Sequence, residues 1–188
     1  MSTIWNIKSP NINSLNIPHL ILDTNVLLDV FYSNSGKNST DREKIYQNFI
    51  TKCISKKIPL YTTELNIYEC FHVIESINKE LYDNSLSIKQ YHKIKSETEK
   101  VHNDFKILYE SIKKTLKILP ASLSDVQISE YIDSTNLYLD LYDFALLKIA
   151  EENNIKFILT NDSDFWGNME YIEKYYILTQ NNHTDFVE

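Results

Sequence analysis

His19-Leu20-Ile21-Leu22, followed at once by Asp23-Thr24-Asn25-Val26-Leu27-Leu28, sets a short apolar run against the opening of a helix, with a carboxylate at the join. A run of this length bounded by polar residues reads as a buried strand, and the pattern from about Asn25 to Tyr32 reads as a helix. The same alternation recurs along the chain. Residues 33–40 read as a polar loop around Gly36. Thr40-Asp41-Arg42-Glu43 then forms a capping box that opens a helix to about Ser55. Ile58-Pro59-Leu60-Tyr61-Thr62 is a second strand, followed by a helix over about 64–82. Lys156-Phe157-Ile158-Leu159-Thr160 is a third strand and Tyr175-Tyr176-Ile177-Leu178 a fourth. Strands separated by helices predict an α/β fold: a central, mostly parallel sheet with helices on both faces.

The middle of the chain reads differently. Ser87-Ile88-Lys89-Gln90 is another capping box, and the stretch from there to about Leu119 is charged and free of Pro and Gly. It predicts one long helix, roughly 45–50 Å at the usual rise per residue, ended by Pro120. A short helix near 124–133 and a strongly apolar one over about 137–153 come next. Nothing marks an internal repeat or a linker, so the expectation is a single domain over 1–188.

Composition narrows the chemistry. The 188 residues include 19 Lys plus Arg against 26 Asp plus Glu, a net charge of −7. Gly36 and Gly167 are the only glycines, which excludes the glycine-rich loops that bring backbone amides against phosphate. Arg42 is the only arginine, so a bidentate clamp on phosphate is almost unavailable, and anion contacts fall to lysine or to metal. Charge is also unevenly placed: residues 79–117 carry 9 basic and 6 acidic side chains, whereas 118–188 carry 3 and 13. The basic block reads first as a solvated helix face and second as a surface for nucleic acid. Cys53 and Cys70 lack metal or disulfide spacing and fit a reducing cytoplasm. With neither a membrane-spanning run nor the apolar core of a signal peptide, a soluble cytoplasmic protein is expected.

The carboxylates are the informative feature. Ligands of open parallel sheets bind beyond the carboxyl ends of the strands. Asp23 follows the first strand, and Asp162 and Asp164 follow the third. A lone Asp there is also an ordinary helix N-cap or turn residue, and that role stays open for Asp23. In Leu137-Tyr138-Leu139-Asp140-Leu141-Tyr142-Asp143-Phe144-Ala145, two acids lie three apart on one face of an otherwise apolar helix. Capping is the plain role for Asp140. Asp143 lies further into the pattern, where a buried carboxylate needs a cation, a proton or hydrogen-bond donors. Glu69, a turn or so into the helix after the second strand, completes the set. Acids converging at one sheet end repel one another, which calls for divalent cations or shifted pKa values. Mg²⁺ or Mn²⁺ suits oxygen-only ligands, and can activate water for attack on a phosphodiester.

These motifs resemble those of the PIN-domain nucleases, the family that includes VapC-type toxins. Ile21-Leu22-Asp23-Thr24-Asn25-Val26-Leu27-Leu28 is similar to the family's opening strand and Asp-Thr-Asn signature, and residues 63–71 to the segment carrying its helix Glu. Residues 143–150 resemble its Asp-Ala-Leu helix, and Phe157-Ile158-Leu159-Thr160-Asn161-Asp162-Ser163-Asp164-Phe165 its Thr-Asn-Asp-x-Asp-Phe strand end. The resemblance spans about 19–71 and 137–180. It implies a three-layer α/β/α fold with a four- to five-stranded sheet. It also implies hydrolysis of RNA with Mg²⁺ or Mn²⁺ held by Asp23, Glu69, Asp143 and Asp162, with Asp164 an auxiliary ligand. Asn25 and Thr160 would orient the carboxylates by hydrogen bonds. An antitoxin or other protein partner and a homodimer are further expectations from the family.

Two departures stand out. The region of about 80–134 is longer and more helical than in a compact member, a helical insertion that joins 1–18 as an extension of the core. Phe144 stands where a small residue is usual, which could move Asp143 and let Asp140 share or replace its role. His72, His92 and His102 are assigned nothing. Beside the endoribonuclease reading stands a non-catalytic PIN-like module that binds RNA or protein. An aspartyl-phosphate phosphatase, which also carries Asp after its first strand, fits less well, because Asn25 occupies the place of its second acid.

Overall fold

Leu20, Ile21 and Leu22 are all fully buried, so the strand they form is covered on both faces. That burial sets the architecture shown by the computed structural model of the chain, which describes residues 4–32, 39–134, 139–167 and 174–180. Six parallel strands form one sheet: β1 (Ile4–Asn6), β2 (Leu20–Leu22), β3 (Leu60–Thr63), β4 (Lys117–Leu119), β5 (Phe157–Leu159) and β6 (Tyr176–Thr179), in the order β1-β6-β5-β2-β3-β4.

The helices are α1 (Thr24–Phe31), α2 (Asp41–Ser55), α3 (Glu64–Asp83), α4 (Ile88–Tyr91), α5 (Lys95–Thr115), α6 (Asp125–Asp133), α7 (Leu141–Glu152) and α8 (Asp164–Gly167). Alternate strand residues serve opposite layers. Leu20, Leu22, Leu159 and Leu178 pack with Val26, Leu27, Tyr46, Ile74 and Leu108 of α1, α2, α3 and α5, while Ile21, Ile158 and Ile177 pack with Leu146, Leu147 and Ala150 of α7. Each fully buried aliphatic side chain contributes roughly 1.5–3 kcal/mol. None of the described helices is long and apolar enough to cross a membrane.

The expected α/β layering and parallel sheet are present, with six strands in place of four or five. The two additional strands are the edges. The N-terminal residues expected only as an extension supply β1, which pairs with β6. The predicted single helix over 88–119 is instead α4, a break at His92–Ile94, α5, and then β4 beside β3. Both capping boxes read from sequence, at Thr40 and Ser87, form. Yet Tyr91 turns fully into the core, and the His92 ring bonds Glu75 on α3. The break is closed locally: the His92 amide bonds the Ile88 carbonyl at 3.0 Å and the Ile94 amide the Tyr91 carbonyl at 2.9 Å before α5 begins. The polar loop read around Gly36, at 33–38, lies outside the described residues, as do 135–138 before α7.

The sheet order places the site. From β2 the chain steps one way to β3 and β4, then returns to β5 on the other side of β2. The connections therefore diverge between β2 and β5, leaving a crevice beyond their carboxyl ends. Asp23 follows the first of these strands and Asp162 the second.

Candidate active site

Asp23 is the N-cap of α1, and its carboxylate is held by four donors. Oδ1 accepts the Thr24 amide at 2.6 Å and Asn66 Nδ2 at 3.2 Å. Oδ2 accepts the Thr160 hydroxyl at 2.7 Å and Asn25 Nδ2 at 2.8 Å. Capping and facing the crevice are compatible, since one carboxylate does both. Burial pushes the Asp23 pKa up to about 7 against the lowering effect of Thr160 and the Thr24 amide, with Glu69 and Asp162 adding repulsion.

Glu69 is tied to the same network. The Thr24 hydroxyl donates to Glu69 Oε2 at 2.5 Å and accepts from Asn66 Nδ2 at 2.9 Å. Asn66 is held in turn by Thr63, the N-cap of α3, whose hydroxyl donates to Asn66 Oδ1 and accepts the Asn66 amide at 3.1 Å. The chain Thr63–Asn66–Thr24–Glu69 thus locks α3 against the start of α1. Burial raises the Glu69 pKa, Thr24 opposes the rise, and Asp140 and Asp162 add to it.

Just after β5, the Thr160 hydroxyl accepts the Asp162 amide at 2.9 Å while donating to Asp23, so one side chain orients two acids. Asn25 Oδ1 accepts the Asn161 amide at 2.9 Å, which binds the turn after β5 to α1. Asp162 Oδ1 accepts the Asp164 amide at 2.8 Å, which shapes the entry to α8. Asp164 is exposed at the rim, its pKa raised by slight burial and then by Asp162 and Asp140.

Helix α7 starts later than the pattern from Leu137 predicts. Asp140 is its N-cap, with Oδ1 accepting the Asp143 amide at 2.9 Å. Asp143 therefore lies in the first turn of α7, not in its interior. It is only 9 % exposed, and no hydrogen-bond donor among the described residues reaches its carboxylate. Burial, followed by the charges of Asp23, Asp140, Asp162 and Glu69, pushes its pKa up to about 9. Phe144 is accommodated away from the crevice, fully buried against Tyr131 of α6 at 5.3 Å between ring centroids.

Asp23, Glu69, Asp143 and Asp162 thus share one crevice, each close enough for its charge to act on others of the set. Asp140 and Asp164 stand at its edge. Among the described residues no group of three or more His, Cys, Asp or Glu side chains is arranged, as it stands, to hold a metal ion. The fit to a divalent cation rests on donor chemistry: oxygen ligands only, partly desolvated and mutually repelling, with no donor among the described residues to balance the charge of Asp143.

Sequence reasoning missed Asn66, Thr24 and Tyr46. Asn66 had a signal, a polar residue three places after a helix-capping Thr on the apolar side of α3. Tyr46 had none: it is a core aromatic of α2, whose hydroxyl reaches the Thr160 carbonyl and Asn161 Oδ1, both at 3.2 Å, and accepts the Gln180 amide at 3.3 Å.

The sequence model of the family described as PIN domain matches residues 20–166. Among solved structures, the crystal structure of VapBC2 from Rickettsia felis, bound to a DNA fragment from their promoter, matches with a TM-score of 0.52 and 14% sequence identity. The match covers 85% of this chain and 97% of that one. At that identity the likeness concerns the fold. No curated protein matches this chain.

Proposed function

This chain belongs to the PIN-domain family, and we propose that it is a divalent-metal-dependent endoribonuclease, the toxin of a toxin–antitoxin pair. The observation that carries the reading is the crevice between β2 and β5, where Asp23, Glu69 and Asp143 are held above the ordinary carboxylate range by burial and by neighbouring acids, Asp162 among them. Asp23, Glu69, Asp143 and Asp162 would hold Mg²⁺ or Mn²⁺, with Asp164 auxiliary. When bound, such an ion supplies Lewis acidity toward a phosphoryl oxygen and acidifies water.

The chain's own residues do the positioning. Thr160, Asn25, Asn66 and the Thr24 amide fix both oxygens of Asp23. Thr24 fixes Glu69, and Thr160 sets the backbone of Asp162. Asp143, which no donor among the described residues reaches, has its pKa pushed up to about 9 by burial and the neighbouring acids, and is the member whose charge state responds most to a cation. The metal also supplies the positive charge toward phosphate that a chain with one arginine lacks. That arginine is engaged elsewhere: Arg42 Nη2 pairs with buried Asp29 at 2.7 Å.

Incubation of the protein with total RNA, with and without Mn²⁺, tests the reading. Cleavage should require the ion and fall at least 100-fold in Asp23→Asn with the melting temperature preserved; activity retained in that variant overturns the assignment. A purely binding module would show neither Mn²⁺-dependent cleavage nor stabilisation by Mn²⁺. The antitoxin part of the reading is checked separately, by a small adjoining gene for a DNA-binding protein whose product copurifies with this chain.

A further inference from the structure

Tyr46, in the first half of α2, is fully buried in the core layer that also holds Leu22 and Leu178. Its hydroxyl lies where β5 and β6 both leave the sheet. It reaches the Thr160 carbonyl and Asn161 Oδ1, both at 3.2 Å, accepts the Gln180 amide at 3.3 Å and shares a hydrogen bond with the Thr179 side chain. Thr160 and Thr179 are themselves buried, so the hydroxyl ties a polar knot inside an apolar layer, where an unmade hydrogen bond is most costly. Burial pushes its pKa up to about 12, which keeps it a donor at neutral pH.

Two of these partners belong to the turn that carries Asp162. That turn works against repulsion, because the Asp162 charge bears on Asp23. Two helices restrain it. From α1, Asn25 Oδ1 accepts the Asn161 amide at 2.9 Å; from α2, Tyr46 takes the Asn161 side chain and the Thr160 carbonyl. Asn161 is thus gripped by backbone and side chain at once. Thr160, whose carbonyl Tyr46 reaches, is also the residue whose hydroxyl orients Asp23 and Asp162. A tyrosine serving only the sheet would satisfy the ends of β5 and β6. The bond to Asn161 Oδ1 does nothing for strand pairing, since that side chain lies beyond β5, and its effect falls on the turn.

We propose that Tyr46 is a positioning residue of the acid crevice: through Asn161 and the Thr160 carbonyl, its hydroxyl holds the turn that presents Asp162 to a divalent ion. The proposal rests on the metal-binding part of the reading above for its consequence, but not for the restraint of the turn. Supporting side chains of this kind typically alter metal affinity about 10- to 100-fold when removed, and Tyr46, acting one step away from the ligand, belongs at the lower end.

The test uses the full chain, Tyr46→Phe, Asn161→Ala, the double variant and Ile50→Val, which trims the same buried layer one turn along α2 without touching the turn. Without metal, amide hydrogen exchange by NMR should be about 2- to 10-fold faster at Asn161 and Asp162 in Tyr46→Phe, the worth of one buried hydrogen bond, and unchanged there in Ile50→Val. Titration with Mn²⁺, followed by the paramagnetic resonance of the free ion, should give a Kd raised on the order of 10-fold in Tyr46→Phe and in Asn161→Ala. The double variant should lose no more than about either alone, because both remove one shared bond. Unchanged exchange at the turn in Tyr46→Phe, losses of affinity that multiply in the double variant, or an equal loss in Ile50→Val overturns the proposal. If Tyr46→Phe does not fold, Asn161→Ala decides: exchange at Asp162 and Mn²⁺ affinity both at the wild-type level overturn it. A wild-type chain that binds no Mn²⁺ sinks the metal reading instead, while the metal-free exchange still decides whether Tyr46 holds the turn. Wild-type chain that binds Mn²⁺ yet leaves total RNA uncut sinks only the ribonuclease reading.

Discussion

Asp143 and Asp23 are both buried carboxylates in one crevice, yet the chain treats them differently. Asp23 receives four donors and is pushed up to about 7, while Asp143 receives none from the described residues and is pushed up to about 9. The difference follows from place: Asp23, just before α1, accepts the free Thr24 amide and the side chains of Asn25, Asn66 and Thr160 that converge there, whereas Asp143, in the first turn of α7, has its own amide bonded to Asp140. Asp143 is therefore a site of stored electrostatic cost in the metal-free protein. Replacing it by Asn removes the ionisation that favours the unfolded chain, at little change of shape. The variant should be more stable than wild type at pH 8 without metal, by on the order of 1–3 kcal/mol and a few degrees of melting temperature, and should gain less from added Mn²⁺. Thermal melts with EDTA and with Mn²⁺ check both signs, and a destabilised variant would show that Asp143 is paired in the folded protein. Asn66 illustrates the opposite economy, since one buried amide group serves Thr63, Thr24 and Asp23 together.

Among the elements, the scarcity of glycine leaves a mark at helix ends. Lys57 after α2 and Asn154 after α7 have φ of 56° and 55°, in the left-handed region that glycine usually fills. In both, the next amide reaches back into the helix: Ile58 to the Cys53 carbonyl at 3.0 Å and Ile155 to the Ala150 carbonyl at 2.8 Å. Asn tolerates this conformation and Lys does not, so Lys57→Gly should stabilise by about 0.5–1 kcal/mol, read as a rise in denaturant midpoint with unchanged slope. No rise would mean that Lys57 makes compensating contacts. Local signals were legible at this level: the boxes at Thr40 and Ser87 form as short-range hydrogen bonds, and a third, not read from the sequence, forms at Ser124. The break before α5 and the strand β4 were not legible. Residues 92–119 contain no Pro or Gly; β4 forms by pairing with β3, and Leu116 and Leu119 on either side of it are buried in opposite layers.

The whole molecule carries its acid cluster as a pH dependence. Asp23 and Asp143 hold protons in the folded state up to about pH 7 and pH 9, whereas in the unfolded chain both ionise near 3.8. Between about pH 4 and 9 the folded state binds more protons, so this site lowers metal-free stability as pH rises across that window. A divalent ion competes with those protons, and its stabilising effect should grow over the same range. Denaturation at pH 5, 7 and 9, with EDTA and with Mn²⁺, should give a gap that widens with pH; a constant gap would exclude these two acids as its source.

By itself the sequence determined the alternation of strands and helices, because buried runs such as Leu20-Ile21-Leu22 admit few other fates. It also marked which carboxylates follow strands, because that depends only on neighbours along the chain. The tertiary structure decided the rest. Strand order placed the crevice between β2 and β5, pairing drew Ile4–Asn6 and Lys117–Leu119 into the sheet, and burial separated the donor-rich Asp23 from Asp143, which no donor among the described residues reaches. The physical reason is the range of the forces: capping and periodicity act within a turn or two, while desolvation and repulsion between acids exist only once distant segments meet.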